Sequence, residues 1–185
     1  MKILAFAASL REGSLNRKLL RNAVRYAEEA GAEVTEVHFR DLAPPLYNAD
    51  DQQNSGFPLE TERLVGYLGD HDGLIIASPE YNYSLPGTLK NAIDWVSRVR
   101  PVPLRGKPAL LMAASTGQIG GIRGLWQLRI PLEGLGVHVY PDMYALPWGA
   151  KMFDEAGELV EEERAERLKG MTDSFISFAE RLVDS

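Results

Sequence analysis

Four stretches of this chain are apolar at nearly every position and only a few residues long: 3–7 (ILAFA), 74–77 (LIIA), 109–114 (ALLMAA) and 137–139 (VHV). Continuous hydrophobicity at strand length is what a strand carries when both faces of its sheet are covered, which is the situation in a parallel sheet. A fifth, weaker segment alternates through Val34 and Val37.

Between these runs the apolar period changes to that of a helix. Leu15, Leu19, Leu20, Ala23, Val24 and Ala27 form one stripe, and Gly31 closes it as a left-handed cap. Leu64, Val65 and Leu68 outline a second helix, and Leu89, Ala92, Ile93 and Val96 a third, with Pro86 near its start, where a missing N–H costs least. A fourth covers 125–135, with Pro131 expected to kink or shorten it. The last carries Leu168, Met171, Phe175, Phe178 and Leu182. The stretch 47–57 reads as a long surface loop. Five strands alternating with five helices predict one doubly wound α/β domain over residues 1–185, with helices on both faces of the sheet and ligands beyond the carboxyl ends of the strands.

Composition narrows the partners. With 20 Lys plus Arg against 26 Asp plus Glu, the formal charge is −6, and no basic block offsets it, so nucleic acid is excluded as a partner. There is no cysteine, so thiolate nucleophiles, disulfides and thiolate-bound metals are excluded as well. The opening apolar run ends before Arg11, too early for a secretory signal, and no stretch is long enough to span a bilayer. The expectation is a cytoplasmic protein without membrane insertion.

The loops after the strands carry the chemistry. Loop one, residues 8–16 (ASLREGSLN), brings short hydrogen-bonding side chains, a guanidinium and a helix N-terminus together, the combination that holds a phosphate. Its spacing is neither Gly-x-x-x-x-Gly-Lys-Ser/Thr nor Gly-x-Gly-x-x-Gly, so a mononucleotide is favoured over ATP or a tightly bound dinucleotide. Loop two, 78–87 (SPEYNYSLPG), combines two prolines and a glycine with two tyrosines and an asparagine, which suits a flat heteroaromatic ring. Loop three, 115–121 (STGQIGG), offers hydroxyls and glycines that let backbone approach a ligand. His38, His71 and His138 have no metal-ligand spacing and are expected to be structural, with no metal site. Ser78, Ser84 and Ser115 lack the Gly-x-Ser-x-Gly context of a hydrolase nucleophile.

The stretch Ser9-Leu10-Arg11-x-Gly13-Ser14-x-Asn16 and, above all, 78–95 (SPEYNYSLPGTLKNAIDW) resemble the NADPH-dependent FMN reductases, which include quinone, chromate and azo-compound reductases. The resemblance covers roughly residues 1–145 and implies a flavodoxin-like three-layer sandwich, its five-stranded parallel sheet ordered 2-1-3-4-5. It implies that Ser9, Arg11, Ser14, Leu15 and Asn16 hold the phosphate of FMN. Pro79, Glu80, Tyr81, Asn82 and Tyr83 then border the isoalloxazine, and Ser115 and Gly117 face it from loop three. Ala8 stands where the family usually has glycine, and Pro131 interrupts a helix expected to run on.

What the resemblance implies for activity is hydride transfer from NADPH or NADH to the flavin, then reduction of a quinone, chromate, an azo compound or a flavin, by a ping-pong route. No residue is assigned a catalytic proton: the flavin carries the chemistry, and Glu80 is expected to matter through its backbone. A homodimer or homotetramer is implied too. Two other readings stay open on the residues, a flavodoxin-like electron carrier serving a protein partner and an FMN-sensing module. Arg11 argues against the carrier, since flavodoxins generally use an uncharged phosphate loop.

Overall fold

The computed structural model describes residues 1–183. The strands are β1 (Lys2–Ala7), β2 (Glu33–His38), β3 (Gly73–Ala77), β4 (Pro108–Ala114), β5 (His138–Val139) and β6 (Tyr144–Leu146). The helices are α1 (Leu15–Glu29), α2 (Ala49–Ser55), α3 (Leu59–Asp70), α4 (Gly87–Val96), α5 (Ile122–Gly134) and α6 (Glu162–Val183). All strand pairs are parallel and the sheet runs β2-β1-β3-β4-β5, with β6 pairing further along the same edge of β4. This is the expected flavodoxin-like 2-1-3-4-5 order.

Strand parity separates two apolar layers. Leu4, Phe6, Leu74, Ile76, Ala109 and Leu111 face α3, α4 and α5 through Leu64, Leu68, Leu89, Ile93, Leu125 and Leu128. Ile3, Ala5, Ile75, Leu110 and Met112 face α1 and α6 through Leu19, Leu20, Ala23, Leu168, Phe175 and Ile176. Because β1, β3 and β4 lie between both layers, every one of their residues after Lys2 is buried, which is why they read as unbroken apolar runs.

Three departures have local causes. The fifth strand comes in two pieces, because Pro141 has no N–H to give a ladder and Arg129 of α5 donates to the carbonyls of Tyr140 (3.0 Å), Pro141 and Val139 (both 3.5 Å). The expected loop 47–57 contains α2, a helix with no buried residue, started by Asn48 Oδ1 accepting from Asp50 N at 3.0 Å. Pro131 does not end α5, which runs from Ile122 and continues one turn past the proline to Gly134.

Candidate functional site

β1, β3 and β4 end side by side, Ala7 opposite Ala77 and Ala77 opposite Met112, so loops one, two and three leave the same edge of the sheet. Ala8 continues β1: its N–H donates to Ala77 O at 2.9 Å and its methyl is buried in the core. The alanine in place of glycine is therefore accommodated, and the chain turns only at Ser9, whose N–H donates to Ala7 O at 2.7 Å.

Loop one then delivers an open helix N-terminus. Ser14 is the N-cap residue with extended backbone, yet its hydroxyl makes no capping bond. The N–H groups of Arg17 and Lys18 go to Ser14 O, while those of Leu15 and Asn16 have no backbone partner among the described residues. Ser9 Oγ accepts from Arg11 N at 3.4 Å, and the Arg11 guanidinium forms no ion pair among the described residues. Unmade donors, a free hydroxyl and an unpaired cation thus share one loop. Asn16 differs from its neighbours: its buried amide donates to Ala114 O (3.0 Å) and accepts from Ala114 N (2.9 Å). That side chain ties α1 to the end of β4, and only the Asn16 backbone N–H is open to a ligand.

Loop two is a tight hairpin. Tyr81 and Ser84 exchange both backbone bonds, at 2.9 and 3.1 Å, around Asn82 (φ 48°) and Tyr83 (φ 68°). Asparagine tolerates the left-handed region, but a tyrosine there is uncommon and costs energy, so surrounding contacts must hold it. Arg123 supplies one, its guanidinium lying 4.1 Å from the centre of the Tyr83 ring. The same guanidinium pairs with Glu80, Nη2 to Oε1 at 2.5 Å and Nε to Oε1 at 2.8 Å. Glu80 Oε2 accepts from the N–H groups of Arg123 (3.1 Å) and Gly124 (3.2 Å), so this carboxylate caps α5 from loop two. Pro79 is buried, whereas Tyr81 and Tyr83 stand more than half exposed over the edge.

Loop three folds back on itself and on the segment after β6. Ser115 Oγ accepts from Gly117 N at 3.2 Å, Ser115 O from Gly149 N at 2.8 Å, and Gly117 O from Trp148 N at 3.2 Å. Gly117 is exposed and Ser115 half-buried, both beside the open edge. Gly120 and Gly121 approach protein rather than ligand: a Cβ on Gly120 would lie 2.8 Å from the Ala145 and Leu146 backbone, one on Gly121 3.0 Å from the Ala113 methyl. A Cβ on Gly124 would likewise lie 3.1 Å from Glu80 Cα, so glycine lets α5 pack close to loop two.

Sequence reasoning missed Arg123 and Trp148. Trp148, left-handed at φ 56° and half exposed, stands next to loop three after a strand too short to read. It also missed the use of Asn91 and Trp95, whose side chains bind the carbonyls of Pro44 and Pro45 and so tie the segment before α2 to α4. The histidines do not converge. His38 accepts from Arg17, and His71 bonds Tyr67 O at 2.7 Å at the far end of the sheet. There, burial holds the Lys107 pKa below its ordinary value against the opposing pull of Asp72, and its ammonium donates to His71 O at 2.6 Å. No described helix is long and apolar enough to cross a membrane.

Residues 1–150 match the NADPH-dependent FMN reductase family. The chain is 38% identical over 185 residues to a quinone reductase of Escherichia coli strain K12, covering 98% of this chain and 97% of that protein. It is 35% identical over 184 residues to an NAD(P)H-dependent FMN reductase of Pseudomonas aeruginosa, with the same coverage. Its structure superposes on FerB, a flavoenzyme NAD(P)H:(acceptor) oxidoreductase from Paracoccus denitrificans, with a TM-score of 0.85 at 30% identity over 97% of each chain. An open phosphate-type loop, a braced tyrosine hairpin and near full-length similarity to named reductases meet in one molecule, which belongs to the NADPH-dependent FMN reductase family and with it takes FMN and NAD(P)H.

Proposed function

We propose that this chain is an FMN-dependent NAD(P)H oxidoreductase whose acceptor is a quinone or a similarly flat, electron-poor molecule. The observation that carries the reading is loop one: the uncapped Ser14, the free N–H groups of Leu15 and Asn16 and the unpaired Arg11 are matched to a phosphate dianion. FMN, when bound, supplies the redox chemistry, taking a hydride from nicotinamide and giving two electrons to the acceptor. Ser9, Arg11 and Ser14 hold the phosphate with the backbone of Leu15 and Asn16. Pro79, Glu80, Tyr81, Asn82 and Tyr83 line the ring, Glu80 through its backbone because its carboxylate is committed to α5. Ser115 and Gly117 close the opposite side. No side chain is asked to move a proton, and nicotinamide and acceptor take turns on one open face.

Two outcomes test this. Purified protein supplemented with FMN shows flavin absorption bands and oxidises NAD(P)H only when a quinone is present, with parallel double-reciprocal lines. Intersecting lines would refute the shared face, and flavin binding without NAD(P)H oxidation would favour an electron carrier. The chain also assembles as a homodimer or homotetramer, supported by Trp126 and Ile130, spaced one turn apart and more than half exposed on α5. Light scattering that returned a fully active monomer would remove that part.

A further inference from the structure

β6 pairs with β4 through Ala114 opposite Leu146, so the chain leaving β6 emerges at the same carboxyl edge as loops one, two and three. Two residues further on stands Trp148, half exposed. Its backbone is left-handed at φ 56° and ψ 27°, a conformation that bulky residues rarely adopt and that the surrounding structure must hold. The holding bonds come from loop three: Trp148 N–H donates to Gly117 O at 3.2 Å and Gly149 N–H to Ser115 O at 2.8 Å. Lys151 N–H then closes a short 3₁₀ turn onto Trp148 O at 2.9 Å. The adjoining Gly149 is buried, and an added Cβ there would lie 3.2 Å from Leu15 Cδ1 and 3.3 Å from Ser115 O.

This turn is therefore pinned to loop three and to the first residue of α1, the two places that the reading above sets against FMN. We propose that Trp148 is the wall that selects quinones as acceptors, its indole lying against the quinone ring and its Nε1–H donating to a quinone carbonyl. The inference rests on that reading and assigns the choice of acceptor to one side chain.

Among the described residues the indole of Trp148 makes no hydrogen bond, ring pair or cation contact. Trp95 shows what an indole does when its own chain uses it: it is buried, gives its Nε1–H to Pro45 O at 2.9 Å and packs edge-on to Tyr47 and Phe57. Exposure alone is not the signal, since Trp126 is also half exposed but sits on the regular backbone of α5. Trp148 combines exposure with a strained backbone, and a large apolar ring kept in water at such a cost is matched to a ligand. The ligand it fits has a flat face for stacking and an acceptor for the indole, which can only donate. A quinone is that molecule, a planar ring whose polar atoms are carbonyl oxygens. A compact anion such as chromate or ferricyanide has acceptors but no flat face. Tyr81 and Tyr83, more than half exposed on loop two, add aromatic surface at the same edge.

Steady-state kinetics at saturating FMN and NAD(P)H, comparing the two-ring quinone menadione with ferricyanide, tests the assignment. Trp148→Ala should raise the KM for menadione about five- to tenfold with kcat little changed, and leave kcat/KM for ferricyanide as it was. Trp148→Phe keeps a stacking face without the N–H and should recover part of the loss. Trp148→Gly, which suits a left-handed backbone, should melt no lower than the unaltered protein yet lose the quinone preference as Trp148→Ala does. An unchanged menadione KM in Trp148→Ala would overturn the proposal. So would an equal loss with both acceptors, which would place the indole on the flavin. A change of assembled mass by light scattering without a change in KM would overturn it as well, assigning the residue to contact between copies. If the unaltered protein oxidises no NAD(P)H with either acceptor, the oxidoreductase reading fails instead. Equilibrium dialysis of menadione against FMN-supplemented protein then decides the wall: weaker retention by Trp148→Ala supports it, and equal retention overturns it.

Discussion

Gly120→Ala is expected to remove a large part of the protein's stability, roughly 3 to 5 kcal/mol out of a usual total of about 5 to 15 kcal/mol. The new methyl carbon would sit 2.8 Å from three backbone atoms of Ala145 and Leu146, where carbon atoms prefer about 3.5 to 4.0 Å. Backbone cannot swing aside as a side chain does, so β6 or the whole of loop three must move. The residue is also left-handed at φ 66°, which costs an alanine about 1 to 2 kcal/mol on its own. Denaturant unfolding gives the number, and the melting temperature should fall by about 10 °C. Gly66→Ala is the contrast: it lies exposed in α3 with nothing within 4 Å of the added carbon, so the same chemical change should stabilise by about 0.5 to 1 kcal/mol through helix propensity. Equal effects at the two positions would contradict the packing described around loop three.

Arg11→Ala is expected to weaken FMN binding by about ten- to a hundredfold, because a hydrogen bond to a charged group contributes about 1.5 to 3 kcal/mol. Arg11 is the only cationic side chain between β1 and α1, and it has no carboxylate to neutralise it among the described residues. The fold should be indifferent, since the residue lies exposed in loop one. Quinone-dependent NAD(P)H oxidation should therefore return when FMN is added in excess. Fluorescence titration of FMN measures the affinity. An unchanged value would show that Arg11 faces solvent in the complex, and activity beyond rescue would place it on the nicotinamide or the acceptor instead.

What the sequence showed of this molecule was what is local or repeated. β1, β3 and β4 are buried on both faces and so announce themselves by composition alone, and the stripe of α1 does the same at helical spacing. α2 stayed invisible because a helix without a buried side has no stripe; its local signals lie only at its ends, the Asn48 cap with Asp50 and Asp51 in the first turn and Gly56 after the last. The early start of α5 depends on Glu80, more than forty residues upstream, and no periodicity reports such a partner. Asn16 shows the same limit within the site. Its place in the motif suggested a phosphate ligand, while its amide is spent on Ala114, 98 residues away. Gly120 and Gly121 looked free to meet a ligand, and what they meet is the chain itself.

The break between β5 and β6 also bears on how copies of this chain can meet. A sheet edge with unused N–H and C=O groups is an invitation to any strand that passes, and proteins that leave it flat and long aggregate through it. Here one margin is only two and three residues long on either side of a proline, with three of its carbonyls turned to Arg129. The other margin, β2, carries the charged Glu33 and Glu36 and the polar Thr35 and His38 around Val34 and Val37, and no residue of it is fully buried. Neither border templates a continued sheet. The surfaces left for contact between copies are its helical faces and the loops at the carboxyl ends of the strands, and strand-to-strand polymerisation is disfavoured at both borders.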